Sequence, residues 1–192
     1  MDAIRLDFGC GQHCKKGFEG VDISLKLPIK YQINLLKFPL PWEDSIVDEI
    51  WCSHFIEHIP AREVQLTDLY KLPFSPPSKL GDIPETPPIC PDMLGQDMFF
   101  AFFDECWRIL KPKGKITLIW PALQTNRAFK DPTHRRFIPL ETFPYLSVNG
   151  RKSMGLSHYH VKCNFEKISC NEILPKSWTD GVNYQITLQT LR

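Results

Sequence analysis

Two glycines and one aspartate near the start of the chain have the spacing of a ligand site. Gly9 and Gly11 follow a short apolar run, Ile4 to Phe8, which predicts a buried strand ending in a tight turn. Asp22 stands near the end of a second predicted strand, Phe18 to Ile23. Ligands of open α/β sheets bind beyond the carboxyl ends of strands, where an acid can accept hydrogen bonds from both hydroxyls of a ribose. The pattern predicts a nucleoside-bearing ligand, with an ordinary turn beside a solvated aspartate as the alternative.

The distance between the glycines and the acid limits which nucleoside fits. A dinucleotide-binding fingerprint places the acid about 20 residues after the glycines, with a full helix between them. The interval from Gly11 to Gly20 leaves room for about two helical turns at most. A pyrophosphate cradled on a long helix therefore fits poorly, and a smaller adenosine ligand fits better.

The composition favours one globular domain and excludes several other classes. A chain of 192 residues with 43% hydrophobic and 23% charged residues is typical of a single domain, expected over 1–192. The net charge of +1 gives no steering towards nucleic acid, so a nucleic-acid partner is not expected. No apolar run reaches the ~20 residues of a membrane-spanning helix, and there is no signal-peptide pattern. The seven cysteines form no CxxC pair, so we expect reduced thiols and a cytoplasmic location.

Strands alternating with loops or helices must position the glycines and the acid. The further predicted strands are apolar or alternating runs bounded by turn residues, at 31–33, 46–52, 115–120, 159–165 and 182–188. A short helix is expected at 55–59, before Pro60. The last two strands follow one another directly, so they are expected to form an antiparallel pair. The pattern predicts an α/β fold.

One helix carries a clear apolar stripe. Residues 96–110 repeat large apolar side chains at helical spacing: Phe99, Phe102, Phe103, Cys106 and Leu110. Lys111 to Gly114 then places cations and a glycine where a helix ends. We predict that these aromatic residues belong to the core.

A proline-rich stretch interrupts the pattern before that helix. Seven of the 17 prolines lie between Pro73 and Pro91, which is incompatible with regular structure. We interpret 73–95 as an inserted loop. A tolerated surface insertion is slightly favoured over a lid.

Four stretches, in order, resemble the class I S-adenosylmethionine-dependent methyltransferases. Leu6–Gly11 with Gly20–Ser24 resembles motif I and the acid that follows it, and Asp48–Ile59 resembles the fourth strand with its "LEH" helix start. Trp107–Ile116 resembles the R-x-L-K-P-G-G approach to the fifth strand, and Asp131–Phe143 resembles a small, mostly uncharacterised bacterial and phage subgroup. The resemblance implies a Rossmann-like, mostly parallel sheet with an antiparallel C-terminal strand pair, an abbreviated N-terminus and the proline-rich insert.

The resemblance also implies a cofactor, S-adenosylmethionine, and the residues that hold it. The residues expected around its methionine part are Asp7, Gly9, Cys10 and Gly11. By position, Asp22 is expected to hold the ribose, and Ile23 is expected to pack on the adenine ring. Asn34 and Leu35 are expected to contact the adenine edge, and Ser53 and His54 are expected to form the floor of the pocket. Two positions depart from the family: Lys113 stands where glycine is usual, and Asn34 where an acid is common.

The acceptor of the methyl group is expected to be a small or sugar-type molecule that offers oxygen or nitrogen. Such an acceptor can need a base, and His134, with Asp131 as its partner or as second choice, is the candidate. An Asx-type turn at 131–134 with a satisfied histidine is an equally good interpretation. The stretch from Arg127 to Phe143 is predicted to be a polar loop. Its basic residues suit an anionic acceptor such as a phosphorylated or acidic sugar, although a solvated loop is the default: Arg127, Lys130, Arg135 and Arg136.

Two other functions compete with methyl transfer. His54, Glu57 and His58 match the HxxEH pattern of inverted zinc peptidases, but Pro60 permits only a short helix there, so no metal site is predicted. A second ligand-like set alternates along one predicted strand in an ordinary way: His158, His160 and Cys163. The stronger rival is a binding or interaction module that keeps the methyltransferase fold with reduced catalysis, because the helix after the glycine turn is abbreviated.

Overall fold

A computed structural model of the chain describes residues 3–24, 29–61, 97–157, 159–173 and 181–192. Its central element is a seven-stranded sheet in the order β3-β2-β1-β4-β5-β7-β6. The strands are β1 Arg5–Phe8, β2 Glu19–Asp22, β3 Tyr31–Gln32, β4 Val47–Ser53, β5 Leu110–Pro121, β6 Phe165–Ile173 and β7 Asn183–Thr190. The proline-rich insert at 73–95 and His158 lie outside the described residues.

Strand direction follows the prediction. β1 to β5 pair in parallel, β7 is antiparallel to β5, and β6 is antiparallel to β7. The predicted α/β fold, with a mostly parallel sheet and an antiparallel C-terminal pair, is confirmed. All five parallel strands therefore end at the same edge of the sheet.

Within the described ranges, one long helix packs on the sheet. Helix α1 spans Met98–Ile109. Asp97 caps its N-terminus, and the Asp97 side chain accepts a hydrogen bond from the Phe99 amide. The predicted apolar stripe is buried, and the ring of Phe102 lies 6.2 Å from the ring of Phe8 in β1. Packing of these aromatic residues holds β1, and with it the glycine turn, against the core.

Shorter helical elements follow β4 and β5. They are a 3₁₀ helix at Ile56–His58, α2 at Arg127–Lys130, a 3₁₀ helix at Leu140–Leu146 and α3 at Val148–Ser153. The stretch 127–143, predicted to be a polar loop, thus contains α2 and the start of a 3₁₀ helix. The reason is tertiary: Phe143 and Leu146 are buried in the core, and Trp120 in β5 donates a hydrogen bond to the Ile138 carbonyl.

The predicted strand at 159–165 is wrong, because β6 begins where that strand was expected to end. The amides of Lys162 and Cys163 donate to Oδ1 of Asp104 on α1, at 3.0 and 2.8 Å. These residues bind a helix side chain instead of a neighbouring strand. His160 and Cys163 therefore do not share a strand face, since Cys163 is buried and His160 is exposed.

The described residues include six cysteines. The cysteines among them are free: Cys10, Cys14, Cys52, Cys106, Cys163 and Cys170. Within the same ranges, no helix combines the length and apolar character needed to cross a bilayer.

The backbone is strained where the chain leaves α1 and enters β5. β5 begins directly at Leu110, but its register to β4 jumps between Val47 and Glu49, so 111–114 bulge out of the ladder. Lys113 in this bulge has a φ of 63°, a conformation that costs an L-residue about 1 kcal/mol and that glycine adopts freely.

We therefore expect Lys113→Gly to stabilise the protein. The gain should be about 0.5 kcal/mol after the larger chain entropy of glycine is subtracted, which raises Tm by about 1–2 °C. Differential scanning calorimetry measures it. Lys115→Gly, one step into the regular strand, is the control and should lower Tm, so a lower Tm for both variants would contradict the interpretation.

Candidate functional site

A cavity of about 330 Å³ opens at the carboxyl ends of the parallel strands. Its walls come from the ends of β1, β2 and β4 and from the residues after β3: Gly9, Asp22, Ile23, Ile33, Asn34, Leu35, Leu36, His54 and Phe55. β1 lies between β2 and β4, so the chain runs in opposite directions from β1 across the sheet. This is the switch point at which open α/β sheets bind ligands.

The carboxylate of Asp22 fixes the glycine turn and also faces the cavity. Its Oδ2 accepts a hydrogen bond from the Gly11 amide at 2.9 Å, and its Oδ1 accepts one from the Ser24 amide at 2.9 Å. A carboxylate has about four acceptor positions, so two backbone bonds leave capacity for a ligand. Asp22 thus caps the turn, and it is also one of the cavity's lining residues.

Gly9 and Gly11 both have left-handed backbones but differ in their surroundings. Gly9 has a φ of 68°, and a Cβ atom placed on it would lie 2.9 Å from Cδ2 of Phe55. Gly11 has a φ of 52°, with no atom of the described residues within 4 Å of such a Cβ. Gly9 is therefore required both for the turn and for the close approach of β1 to Phe55.

Four of the predicted cofactor residues lie near the cavity without lining it. Asp7 is 2% exposed and its Oδ2 accepts the Lys15 amide at 2.7 Å, which ties the 10–18 loop to β1. Burial raises the pKa of Asp7, although the Lys15 amide and the Cys14 thiol offset part of that rise. Cys10 turns its sulfur towards Gly20, and burial raises the pKa of its thiol to about 11. The other two are Gly11 and Ser53.

A second, polar cavity of about 230 Å³ adjoins the first. Its lining residues follow β4 and β5: His54, Glu57, His58, Pro121, Arg127, Lys130, Asp131 and His134. His54 lines both cavities. The sheet therefore carries two neighbouring cavities, one largely apolar with an aspartate and one polar, that meet at one histidine.

The side chain of His54 is held from both sides. Its Nδ1 lies 3.1 Å from Oε1 of Glu57, and Nη2 of Arg127 lies 3.4 Å from its Nε2. The backbone of His54 has a φ of 56°, a left-handed conformation that non-glycine residues adopt mainly where the surrounding structure enforces it. The extension of the β4–β5 ladder enforces it here, because the His54 amide donates to the Ile119 carbonyl at 2.8 Å.

The structure brings His134 and Asp131 together in the polar cavity. Nε2 of His134 lies 3.8 Å from Oδ2 of Asp131, and its Nδ1 lies 2.8 Å from the Ala128 carbonyl. The Asx-type turn is also present, since the Thr133 amide and hydroxyl both donate to Oδ1 of Asp131. The Thr133 hydrogen bonds hold the pKa of Asp131 below its usual value.

The basic residues of the predicted loop do not all line the polar cavity. Arg136 does not line the polar cavity, and its guanidinium binds Asp97 and the carbonyls of Ile59 and Pro60. Glu57 and His58 entered the sequence argument through the "LEH" helix start and through the zinc-peptidase pattern, which the three-residue 3₁₀ helix Ile56–His58 cannot support. Their position directly after β4 was the available signal, but nothing local links them to the 127–134 segment.

Comparison with known proteins bears on the fold. No protein-family model matches the chain, and no curated protein matches it in sequence. A SAM-dependent methyltransferase from Methanosarcina mazei has a similar structure, with a TM-score of 0.55 and 15% identity over 99% of this chain and 93% of that one. The chain has the fold of the SAM-dependent methyltransferases.

Other solved structures agree with that fold and show its range. The N-methyltransferase NodS from Bradyrhizobium japonicum WM9, in complex with S-adenosyl-L-homocysteine, has a TM-score of 0.50 and 9% identity, over 99% of this chain and 79% of that one. The [4+2]-cyclase SpnF has a TM-score of 0.51 and 12% identity, over 98% of this chain and 74% of that one. Because a cyclase shares the methyltransferase fold, the reaction has to be argued from the cavities.

Proposed function

We propose that this protein is a SAM-dependent methyltransferase that transfers a methyl group to an oxygen or nitrogen atom of a small-molecule acceptor. The observation that carries the proposal is the Asp22 carboxylate, which lines a cavity at the switch point of a methyltransferase-fold sheet. The structural neighbours that are SAM-dependent methyltransferases support it.

The residues of the first cavity suit the adenosine part of SAM. Asp22 offers acceptors for the ribose hydroxyls, and the apolar walls suit an adenine ring: Ile23, Ile33, Leu35, Leu36 and Phe55. Oδ1 of Asn34 already accepts the Leu36 amide at 2.9 Å, so the side-chain NH₂ of Asn34 is left to donate to a ring nitrogen. Asn34 would thus bind the adenine edge as a donor, where a carboxylate would accept. The methionine part is assigned to Asp7 near the end of β1 and to Gly9, Cys10 and Gly11 in the turn that follows it, and the floor of the pocket is assigned to Ser53 and His54.

The polar cavity is the proposed acceptor site. When bound, SAM supplies a methyl group on a positively charged sulfur, which an oxygen or nitrogen lone pair can attack. His54 and the residues around it would hold the acceptor beside that methyl group. His134, with Asp131 as its partner or as second choice, would take the acceptor's proton. Arg127 and Lys130 line the same cavity and suit an acidic or phosphorylated acceptor.

Binding of S-adenosylhomocysteine tests the proposal. We expect this product to raise Tm, since a ligand at 100 times its Kd stabilises a protein by about 2.7 kcal/mol, and adenosine alone to have a smaller effect. Thermal unfolding with and without the ligand, followed by titration calorimetry, measures this. No shift at millimolar concentration would favour the alternative, a binding module that retains only the fold.

A further inference from the structure

The floor of the polar cavity brings together an acid and two histidines. Glu57, His58 and His134 each offer one ligand atom, and these atoms lie within 4.8 Å of one another. Glu57 and His58 follow β4, whereas His134 follows α2, so the group forms only in the folded chain. We propose that these three side chains bind a divalent transition-metal ion, with Zn²⁺ as the reference ion. With the ion bound, His134 is a ligand, so its role as the base of the proposed methyl transfer applies to the metal-free protein.

The carboxylate of Glu57 has an unsatisfied oxygen. Glu57 is 2% exposed, its Oε1 is paired with Nδ1 of His54, and its Oε2 has no hydrogen-bond partner among the described residues. A buried carboxylate oxygen without a partner is costly and is rare in native proteins. A bound cation supplies the missing partner.

The two histidines have the orientation of metal ligands. Nδ1 of His134 lies 2.8 Å from the Ala128 carbonyl, and Nδ1 of His58 lies 3.3 Å from the Thr133 carbonyl. Because a carbonyl only accepts hydrogen bonds, each Nδ1 carries the hydrogen, and in the neutral imidazole each Nε2 keeps its lone pair. Metal-binding histidines are oriented in this way, with the second ring nitrogen bound to a carbonyl or carboxylate.

The charges and spacing of the cavity are compatible with a divalent ion. A tetrahedral zinc site has bonds of about 2.1 Å and ligand atoms about 3.4 Å apart, so the side chains must close by about an ångström. Asp131, whose Oδ2 lies 3.8 Å from Nε2 of His134, is placed to become a fourth ligand. The carboxylates of Glu57 and Asp131, which both line this cavity, balance the charge of the ion.

This arrangement differs from the HxxEH zinc site considered in the sequence analysis. That site needs His54 and His58 on one face of a sustained helix. Here Nε2 of His54 lies 3.4 Å from Arg127 and its Nδ1 is bound to Glu57, so His54 orients the acid and is not a ligand. The distant His134 takes its place.

Metal binding is tested on the full chain without SAM or any acceptor, so the result does not depend on the proposed methyltransferase activity. The protein is stripped with a chelator, dialysed and titrated with ZnCl₂ by calorimetry. Substitution with Co²⁺ provides a second readout, because histidine coordination gives the ion visible absorption bands. We expect one Zn²⁺ per chain and visible bands with Co²⁺.

Three variants locate the site. Glu57→Gln keeps the shape of the side chain and removes the charge, and His134→Ala removes a ligand. Each should weaken Zn²⁺ binding by at least about 100-fold, since loss of a residue that only orients a metal ligand already costs about 10- to 100-fold. His13→Ala, at an exposed histidine outside the cavity, is the matched control and should bind as the unsubstituted protein does. Far-UV circular dichroism verifies that each variant is folded.

Two results would overturn the proposal. One is the lack of stoichiometric Zn²⁺ and of Co²⁺ bands in the folded protein, which would make the cluster a hydrogen-bonded network and not a metal site. The other is unchanged affinity in folded Glu57→Gln and His134→Ala. If S-adenosylhomocysteine still binds in either case, the metal site alone is rejected and the proposed function stands.

Discussion

Replacing Asp22 by alanine is expected to weaken the binding of S-adenosylhomocysteine by about 100-fold or more. The substitution removes the acceptors proposed for the ribose hydroxyls, and hydrogen bonds to a charged group contribute about 1.5–3 kcal/mol each. It also removes the cap on the Gly11 and Ser24 amides, so the ligand-free protein should lose about 1 kcal/mol of stability. Titration calorimetry measures the affinity, and urea unfolding measures the stability.

A matched variant separates ligand binding from turn capping. Asp48 accepts the Ile4 amide at 2.8 Å and the Lys111 ammonium at 2.7 Å, beside the amino end of β4 and far from the cavity. Asp48→Ala should therefore lower stability by a similar amount and leave the affinity for S-adenosylhomocysteine unchanged. Undiminished affinity in Asp22→Ala would show that Asp22 is only a turn cap, and the assignment of the cavity would fail.

Gly9→Ala is expected to damage both stability and ligand binding. The left-handed backbone costs an alanine about 1 kcal/mol, and the contact of its Cβ with Phe55 adds about 1–3 kcal/mol of overpacking. For a chain of this length the sum lowers Tm by about 4–16 °C. Because Phe55 lines the cavity, any shift that relieves the contact should also weaken S-adenosylhomocysteine binding. Calorimetry measures both effects.

Gly17→Ala isolates the effect of the backbone conformation. Gly17 has a φ of 84°, and no atom of the described residues lies within 4 Å of the Cβ that alanine would add. This variant should lose only the conformational contribution, about 1 kcal/mol, and should bind the ligand normally. Equal losses in the two variants would mean that Phe55 tolerates a side chain at position 9.

Local sequence patterns were sufficient to predict those elements whose burial requires apolar residues at regular spacing. The stripe of Phe99, Phe102 and Phe103 predicted α1, and the apolar run before Gly9 predicted β1, because each element buries one face or both. The ordered motifs then predicted the mostly parallel sheet. They also predicted the place of Asp22, since the end of a strand and the cavity of this fold coincide.

Local patterns failed where the same sequence pattern is compatible with two different structures. The alternation at 159–165 is typical of a strand, but it does not say whether the backbone amides bond to a neighbouring strand or to a side chain. Here they meet Asp104. In the same way, Lys111 to Gly114 indicates an interruption between α1 and β5 without showing that the strand begins before the bulge.

The sequence by itself determined the methyltransferase fold, the glycine turn and the acid beside it, because neighbours along the chain specify those features. Only the tertiary structure decided which residues form the polar cavity. The pairing of β4 with β5 aligns the ends of these strands, and the segments that follow them bring Glu57 and His58 to Arg127 and His134. These side chains come together because segments distant in sequence pack on the same core. The spacing of residues along the chain therefore does not predict which of them meet.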